Sequence, residues 1–355
     1  MNKQIRIFLV LVMWLPVSVN AADIFVDTGY GGATYIRIEG TIEKGDLQKF
    51  KSVTKSFVLT SRSNLNDLPI RINSTGGNID EAIEIGRVAR ELLASIVVNG
   101  NVFREFEGQW FYELEGKTMN KDGTPFIRLP VGEAIRKEHI RGCYSACVLI
   151  LYGAVERTIS DNIDQRDGGI GQDDKVIPTI GIHRPYYDKE YFKNLSPKEA
   201  QTAYVELEAK VRSYLTEMGA PQVLIDRMFF QASNEVEMVP AAEFRSLIND
   251  QEPYFEEWLI SKCGAGTDGS EILSENEYRR VQEYRVLRSE EIERLMNNGD
   301  DYSGVAVDSY LPQGFTQEEV DSLYAKIREH NLQVWSCRST AVREHLRETV
   351  LSPSY

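Results

Sequence analysis

Ser145 lies in Gly142-Cys143-Tyr144-Ser145-Ala146-Cys147, and a Gly76-Gly77 pair closes Ile72-Asn73-Ser74-Thr75-Gly76-Gly77. Together these segments read as a serine nucleophile facing an oxyanion hole. Glycine leaves backbone N–H groups bare, so they can approach a substrate oxygen. The apolar run Ala146 to Tyr152 places the Ser145 hydroxyl at or near the positive end of a helix. A base is available in His183, within Thr179-Ile180-Gly181-Ile182-His183-Arg184-Pro185. The chain has four histidines, and His139, His330 and His345 lie in polar segments without a comparable setting. A serine near a helix start is more often an ordinary cap than a nucleophile, and His183 alone could be a satisfied strand histidine. The combination of Ser145, His183 and the glycine pair carries the catalytic reading.

The elements that must position these residues follow from periodicity. The apolar stretch Leu68 to Ile72 ends at the glycines and is followed by Ile79, Ala82, Ile83, Val88, Ala89, Leu92 and Leu93, a strand turning into a helix. Thr34 to Ile42 alternates as a strand, Gly45 to Phe57 is an amphipathic helix, and Ser95 to Val98 is a short buried strand. Strand and helix in succession imply right-handed crossovers and a largely parallel sheet. Residues 99–137 break this pattern, with Asn120-Lys121-Asp122-Gly123 as a turn, and read as an inserted hairpin overhanging the site. The acidic, Gly-rich loop Asp161 to Lys175 is a second overhang. Helices are expected at Pro197 to Met218, Pro221 to Phe230, Glu275 to Met296 and Gln317 to His330. The charged 261–355 region is expected to form a helical accessory part beside a 23–260 domain.

Residues 1–22 read as a secretory signal. Lys3 and Arg6 precede an apolar stretch from Ile7 to Val19, and Val19-Asn20-Ala21 is a small-residue cleavage site, so the mature chain begins near Ala22 or Asp23. That stretch is shorter than the roughly 20 residues of a membrane span. The expectation is an exported protein with no stable span after cleavage, periplasmic if the source is a Gram-negative bacterium. A net charge of -14 argues against nucleic acid as a main partner, since phosphate contacts need concentrated Lys and Arg. Export favours cysteine pairing, and a Cys263–Cys337 bridge would tie down the C-terminal third. Cys143 and Cys147 bracket Ser145. An i, i+4 bridge there requires a distorted helix, so two buried thiols are expected instead. With His139 they invite a metal, but Gly142 interrupts the helix such a site needs and no further ligand completes it, so none is expected.

The order of strand and Gly-Gly helix, small residue-x-Ser-Ala helix, strand ending Ile182-His183-Arg184-Pro185, helix pair and Ala241-Ala242-Glu243-Phe244 resembles the Clp protease proteolytic subunit within the Clp/crotonase group. It is closest to exported bacterial members with a Cys-x-Ser-Ala-Cys serine segment. The resemblance covers roughly Thr34 to Leu247. It implies an α/β fold with a repeated β-β-α spiral core, here with a mainly helical C-terminal appendage. It also implies Ser145 as nucleophile, His183 as general base, and the N–H groups of Gly76 or Gly77 and of Ala146 as the oxyanion hole. The third residue is Asn234, or Glu235 if the alignment slips by one. A Ser-Lys dyad, as in signal peptide peptidases of the group, would need a lysine, for which Lys137 and Lys175 are weak candidates. The expected activity is that of a serine peptidase without cofactor, acting on peptide or unfolded protein and assembling as a homo-oligomer. The competing readings are an inactive Clp-like binding or scaffold protein and crotonase-like thioester chemistry. Export from the cytoplasm, where coenzyme A resides, counts against the latter.

Overall fold

The computed structural model describes residues 21–28, 33–61, 67–99, 101–106, 109–115, 126–130, 142–160, 175–177, 180–187, 189–231, 235–239, 243–244, 247, 252–297 and 311–355. Residues 1–20, where a secretory signal is expected, His139, Lys137, Asn234, Ala241, Ala242 and nearly all of the 161–175 loop lie outside these residues.

The fold is α/β, with a mixed five-stranded sheet and a helical C-terminal part. Its strands are β1 (Asp23–Thr28), β2 (Thr34–Glu39), β3 (Leu68–Asn73), β4 (Ala94–Asn99) and β9 (Glu156–Ser160), in the order β1-β2-β3-β4-β9. β1 pairs antiparallel with β2, and the other pairs are parallel. The register aligns Ile36 with Ile70 and Ile70 with Ile96, so β-branched side chains share one buried layer.

Helix α1 (Asp46–Thr60) connects β2 to β3, and α2 (Ile79–Glu91) connects β3 to β4. Asn78 caps α2 by accepting from Glu81 N, and Asp80 and Glu81 favour its positive end. Helix α3 (Ala146–Gly153) is apolar and buried at all eight positions. It lies close against α2 because Gly86 and Gly153 have no side chains. A Cβ on Gly153 would stand 2.2 Å from Gly86 O.

Residues expected to form a hairpin form three strands, β5 (Asn101–Phe106), β6 (Gln109–Glu115) and β7 (Phe126–Pro130). Strand β10 (Lys175–Ile177) completes the sheet in the order β10-β5-β6-β7. Non-local pairing with β10 cannot be read from the local turn signal that suggests a simple hairpin. A third sheet, β12-β11-β8, joins β8 (Cys143–Tyr144), β11 (Ile180–Ile182) and β12 (Glu237–Val239).

Beyond α4 (Lys189–Phe192), α5 (Pro197–Glu217) starts with a capping box from Ser196 and Glu199, and α6 (Gln222–Phe230) follows. The C-terminal part contains α7 (Pro253–Cys263), α8 (Glu275–Asn297) and α9 (Gln317–Leu351). Helix α9 runs well past His330. Its final turns insert Val342, Leu346 and Val350 into the main core, and Tyr355 and Lys51 exchange hydrogen bonds of 3.1 and 3.2 Å. Cys263 and Cys337 form the expected disulfide, tying α7 to the middle of α9. Among the described residues no helix is long and apolar enough to cross a membrane.

Candidate active site

Strand β3 and helix α3 bring the two chemistry-bearing segments together. Asn73 Oδ1 accepts from Gly142 N at 2.9 Å, Ser74 N donates to Gly142 O at 2.8 Å, and Tyr144 N donates to Ser74 O at 3.0 Å. These bonds extend β3 into β8 and leave Ser145 at the turn between β8 and α3. Ser145 has φ 57 and ψ -123, and Leu93 is the other described non-glycine residue with positive φ. An L-residue adopts this conformation at a cost, and a sharp strand-to-helix turn of this kind presents a side chain clear of the backbone. Ser145 N donates to Gly181 O at 2.8 Å, which fixes the turn against β11.

Cys143 and Cys147 are disulfide-bonded, with a Cα–Cα distance of 5.2 Å, which corrects the expectation of two free thiols. Cys143 lies in a strand rather than on the same helix as Cys147, and the turn at Ser145 brings the two within bridging range. The bridge spans Ser145 from both sides. Both cysteines are fully buried.

The glycine pair divides in role. Gly76 has φ +98, and a Cβ there would meet Ser145 Cβ at 2.6 Å and Tyr144 O at 2.8 Å. Its N–H donates to Ser74 Oγ at 3.1 Å and is thereby spent within the chain. Gly77 has φ +129 and packs on Ile42, whose carbonyl a Cβ would approach to 2.1 Å. Ile42 N donates to Gly76 O and Asn78 N to Ile42 O, both at 2.7 Å, and neither bond uses the Gly77 N–H. Among the described residues the N–H groups of Gly77 and Ala146 have no acceptor. Both residues line the cleft that holds Ser145, and bare donors beside a serine are what an oxyanion hole requires. Of the two glycines, Gly77 is the one whose N–H is unspent.

His183 follows β11, is 8 % exposed, and shares a cleft of about 900 Å³ with Ser145, Ala146 and Gly77. Its Nδ1 lies 2.9 Å from Arg184 O. A carbonyl can only accept, so Nδ1 carries a proton, and the neutral form of the ring in this pose has its lone pair on Nε2, as a general base needs. The Tyr186 ring, 5.5 Å away, borders the imidazole. Among the described residues no hydrogen bond joins Ser145 Oγ to His183, although both line the cleft. Glu235 is exposed and is not part of the cleft lining, and Asn234 is outside the described residues. The Arg184 carbonyl, not legible from residue types, holds the tautomer.

The rest of the cleft is mixed in character. Glu43, Lys44 and Asp80 form a polar rim, and Leu149, Met228, Val236, Tyr187 and Tyr191 form an apolar and aromatic side. The Tyr187 and Tyr191 rings lie 4.2 Å apart, tilted by 36°, and burial together with nearby Asp80 raises the Tyr187 hydroxyl above its usual pKa. Asp80 is itself paired with Lys210 at 2.7 Å. Among the described residues no group of three His, Cys, Asp or Glu side chains could hold a metal ion.

Behind the site, a buried ionic cluster fixes α3. Arg157 is fully buried and pairs with Glu252, while Arg90 donates to Gly153 O at 2.8 Å and Tyr152 O at 2.9 Å. These cations satisfy the carbonyls at the C-terminal end of α3. Comparison with known proteins gives no matching family model and no matching curated protein.

Proposed function

We propose that the chain is an exported serine hydrolase of peptidase type, built on a Clp/crotonase-like spiral core and acting in the periplasm. One observation carries this reading. Ser145 adopts φ 57 on a strand-to-helix turn, with the unspent N–H groups of Gly77 and Ala146 and the tautomer-fixed His183 around the same cleft. In the proposed reaction His183 Nε2 takes the Ser145 proton as Oγ attacks a carbonyl. Gly77 and Ala146 hold the resulting oxyanion, an effect worth about 3 kcal/mol per donor in tested serine proteases. The imidazolium then protonates the leaving amine, and water resolves the acyl-enzyme by the reverse proton path. The cleft suits an extended peptide or unfolded segment that places apolar side chains against Tyr191 and Val236. Assembly into a homo-oligomer follows from the resemblance alone.

The lack of a Ser145–His183 hydrogen bond favours a second reading, a binding protein that retains the cleft without turnover. A serine-directed fluorophosphonate probe separates the two. Covalent labelling that disappears in Ser145→Ala and His183→Ala supports the hydrolase. A folded wild-type protein that takes up no label sinks it.

A further inference from the structure

Ala22 is fully buried, and its backbone nitrogen lies 3.2 Å from Asp46 Oδ2, on a side chain in a residue only 2 % exposed. The same oxygen accepts from Glu43 N at 2.7 Å. Within an uninterrupted chain both donors are neutral peptide N–H groups, which hydrogen-bond a carboxylate without balancing its charge. The cation nearby, Lys49, points elsewhere. Its Nζ donates to Ala22 O at 2.6 Å and stands 3.8 Å from Asp23. Glu81, which accepts from Leu47 N at 2.8 Å, brings a further negative charge to the start of α1.

We infer that Ala21–Ala22 is the bond cleaved on export and that the α-ammonium released at Ala22 is the counter-charge of buried Asp46. This rests on the export reading above. Hydrolysis breaks the amide C–N bond. The Ala21 carbonyl carbon takes the water oxygen and becomes a carboxylate, and the Ala22 nitrogen gains protons and becomes an ammonium. Val19 and Ala21 supply the small residues expected three places and one place before such a bond.

Cleavage one bond later would remove Ala22, leaving Asp46 without this donor and Lys49 without its carbonyl acceptor. Cleavage one bond earlier would leave a neutral amide on Asp46 and set the charge on exposed Ala21. The pair also reaches the site. Asp46 closes the turn from Glu43, and the preceding residue, Ile42, is the backbone against which Gly76 and Gly77 are seated.

Two measurements test the inference. The full sequence is expressed in an exporting bacterium and the intact mass of the recovered protein is read, with a chain starting at Ala22 expected. A mass that retains the leader defeats the export reading itself, and a leaderless chain starting elsewhere leaves export standing and overturns the inference. Independently of export, a purified chain made to begin at Ala22 is compared with the same chain preceded by one glycine. The extension is expected to lower the melting temperature by about 5 °C in the wild type and by under about 1 °C in Asp46→Asn. Equal losses in the two backgrounds overturn the pairing. Should Asp46→Asn fail to fold, acylation of the Ala22 amine provides the readout. A rate at least about tenfold slower in folded protein than in urea, beyond the slowing seen for the glycine amine of the extended chain, supports the pair, and equal slowing overturns it.

Discussion

Replacing Gly76 by alanine would install a methyl group 2.6 Å from Ser145 Cβ and 2.8 Å from Tyr144 O, on a backbone with φ +98. Gly45 supplies the control, since its φ is +103 but a Cβ there meets nothing within 4 Å. The conformational cost is shared by both variants, about 1–2 kcal/mol for an L-residue in the left-handed region. The steric cost belongs to Gly76→Ala alone, about 1–3 kcal/mol for overpacking that must move backbone. Carbon atoms in ordinary contact stand about 3.5–4.0 Å apart, so Ser145 must retreat by about 1 Å. A displacement of that size costs on the order of 100-fold in rate at a positioned nucleophile. Gly76→Ala is therefore expected to unfold in urea with a stability about 2 kcal/mol below Gly45→Ala. It should also react with fluorophosphonate about 100-fold more slowly. Equal stability of the two alanine variants would refute the close approach of β3 to the serine turn, whatever the labelling shows. Unchanged labelling in a destabilised Gly76→Ala would refute only the role of that approach in positioning Oγ.

Other expectations follow from the same geometry. The Cys263–Cys337 bridge closes a separation of 74 residues and Cys143–Cys147 one of four, so chain entropy assigns about 4 kcal/mol to the first and about 2 kcal/mol to the second. Paired Cys→Ala variants compared by thermal unfolding check that order, while labelling should fall more in Cys143→Ala/Cys147→Ala because that bridge spans Ser145. Glu252→Gln removes a carboxylate that fully buried Arg157 and Arg90 share, and a loss of about 3–5 kcal/mol is expected in urea unfolding, against near-neutral Glu257→Gln in the helix that Glu252 precedes. Burial raises the Asp67 and Glu156 carboxyls above their usual range, and the proximity of Asp67 raises Glu156 further. A raised carboxyl contributes stability that is fully present below its unfolded pKa and lost as pH rises through the folded one. Asp67→Asn/Glu156→Gln should therefore melt higher than wild type at pH 7, and the gap should close near pH 3. A gap that persists at pH 3 would show that ionisation is not its cause.

The strand, glycine turn and helix from Leu68 to Glu91 were legible because each boundary has a local cause: an apolar run, two glycines with positive φ, and Asn78 as cap. Ser145 and His183 were legible as residue types in suitable settings, and they do share a cleft. What decides between the glycines was not legible, because it depends on Ser74 Oγ capturing the Gly76 N–H and Ile42 leaving the Gly77 N–H alone. The disulfide at the serine departs from the expected thiols for a related reason. Sequence spacing suggested one continuous helix, whereas parallel pairing of β8 with β11 makes Cys143 a strand residue. Helix α9 extends beyond the expected Gln317 to His330 because its apolar face changes partner. Leu323 and Ile327 pack within the C-terminal part, Val342 and Leu346 pack into the main core, and exposed Leu332 and Trp335 interrupt the pattern between them. Periodicity reports which face of an element is buried, but not which neighbour buries it. The features that would turn a serine, a histidine and two glycines into a reactive site are relations between segments distant in sequence. For that reason the residue types here were readable before the geometry, while the choice of donor, tautomer and bridge was not.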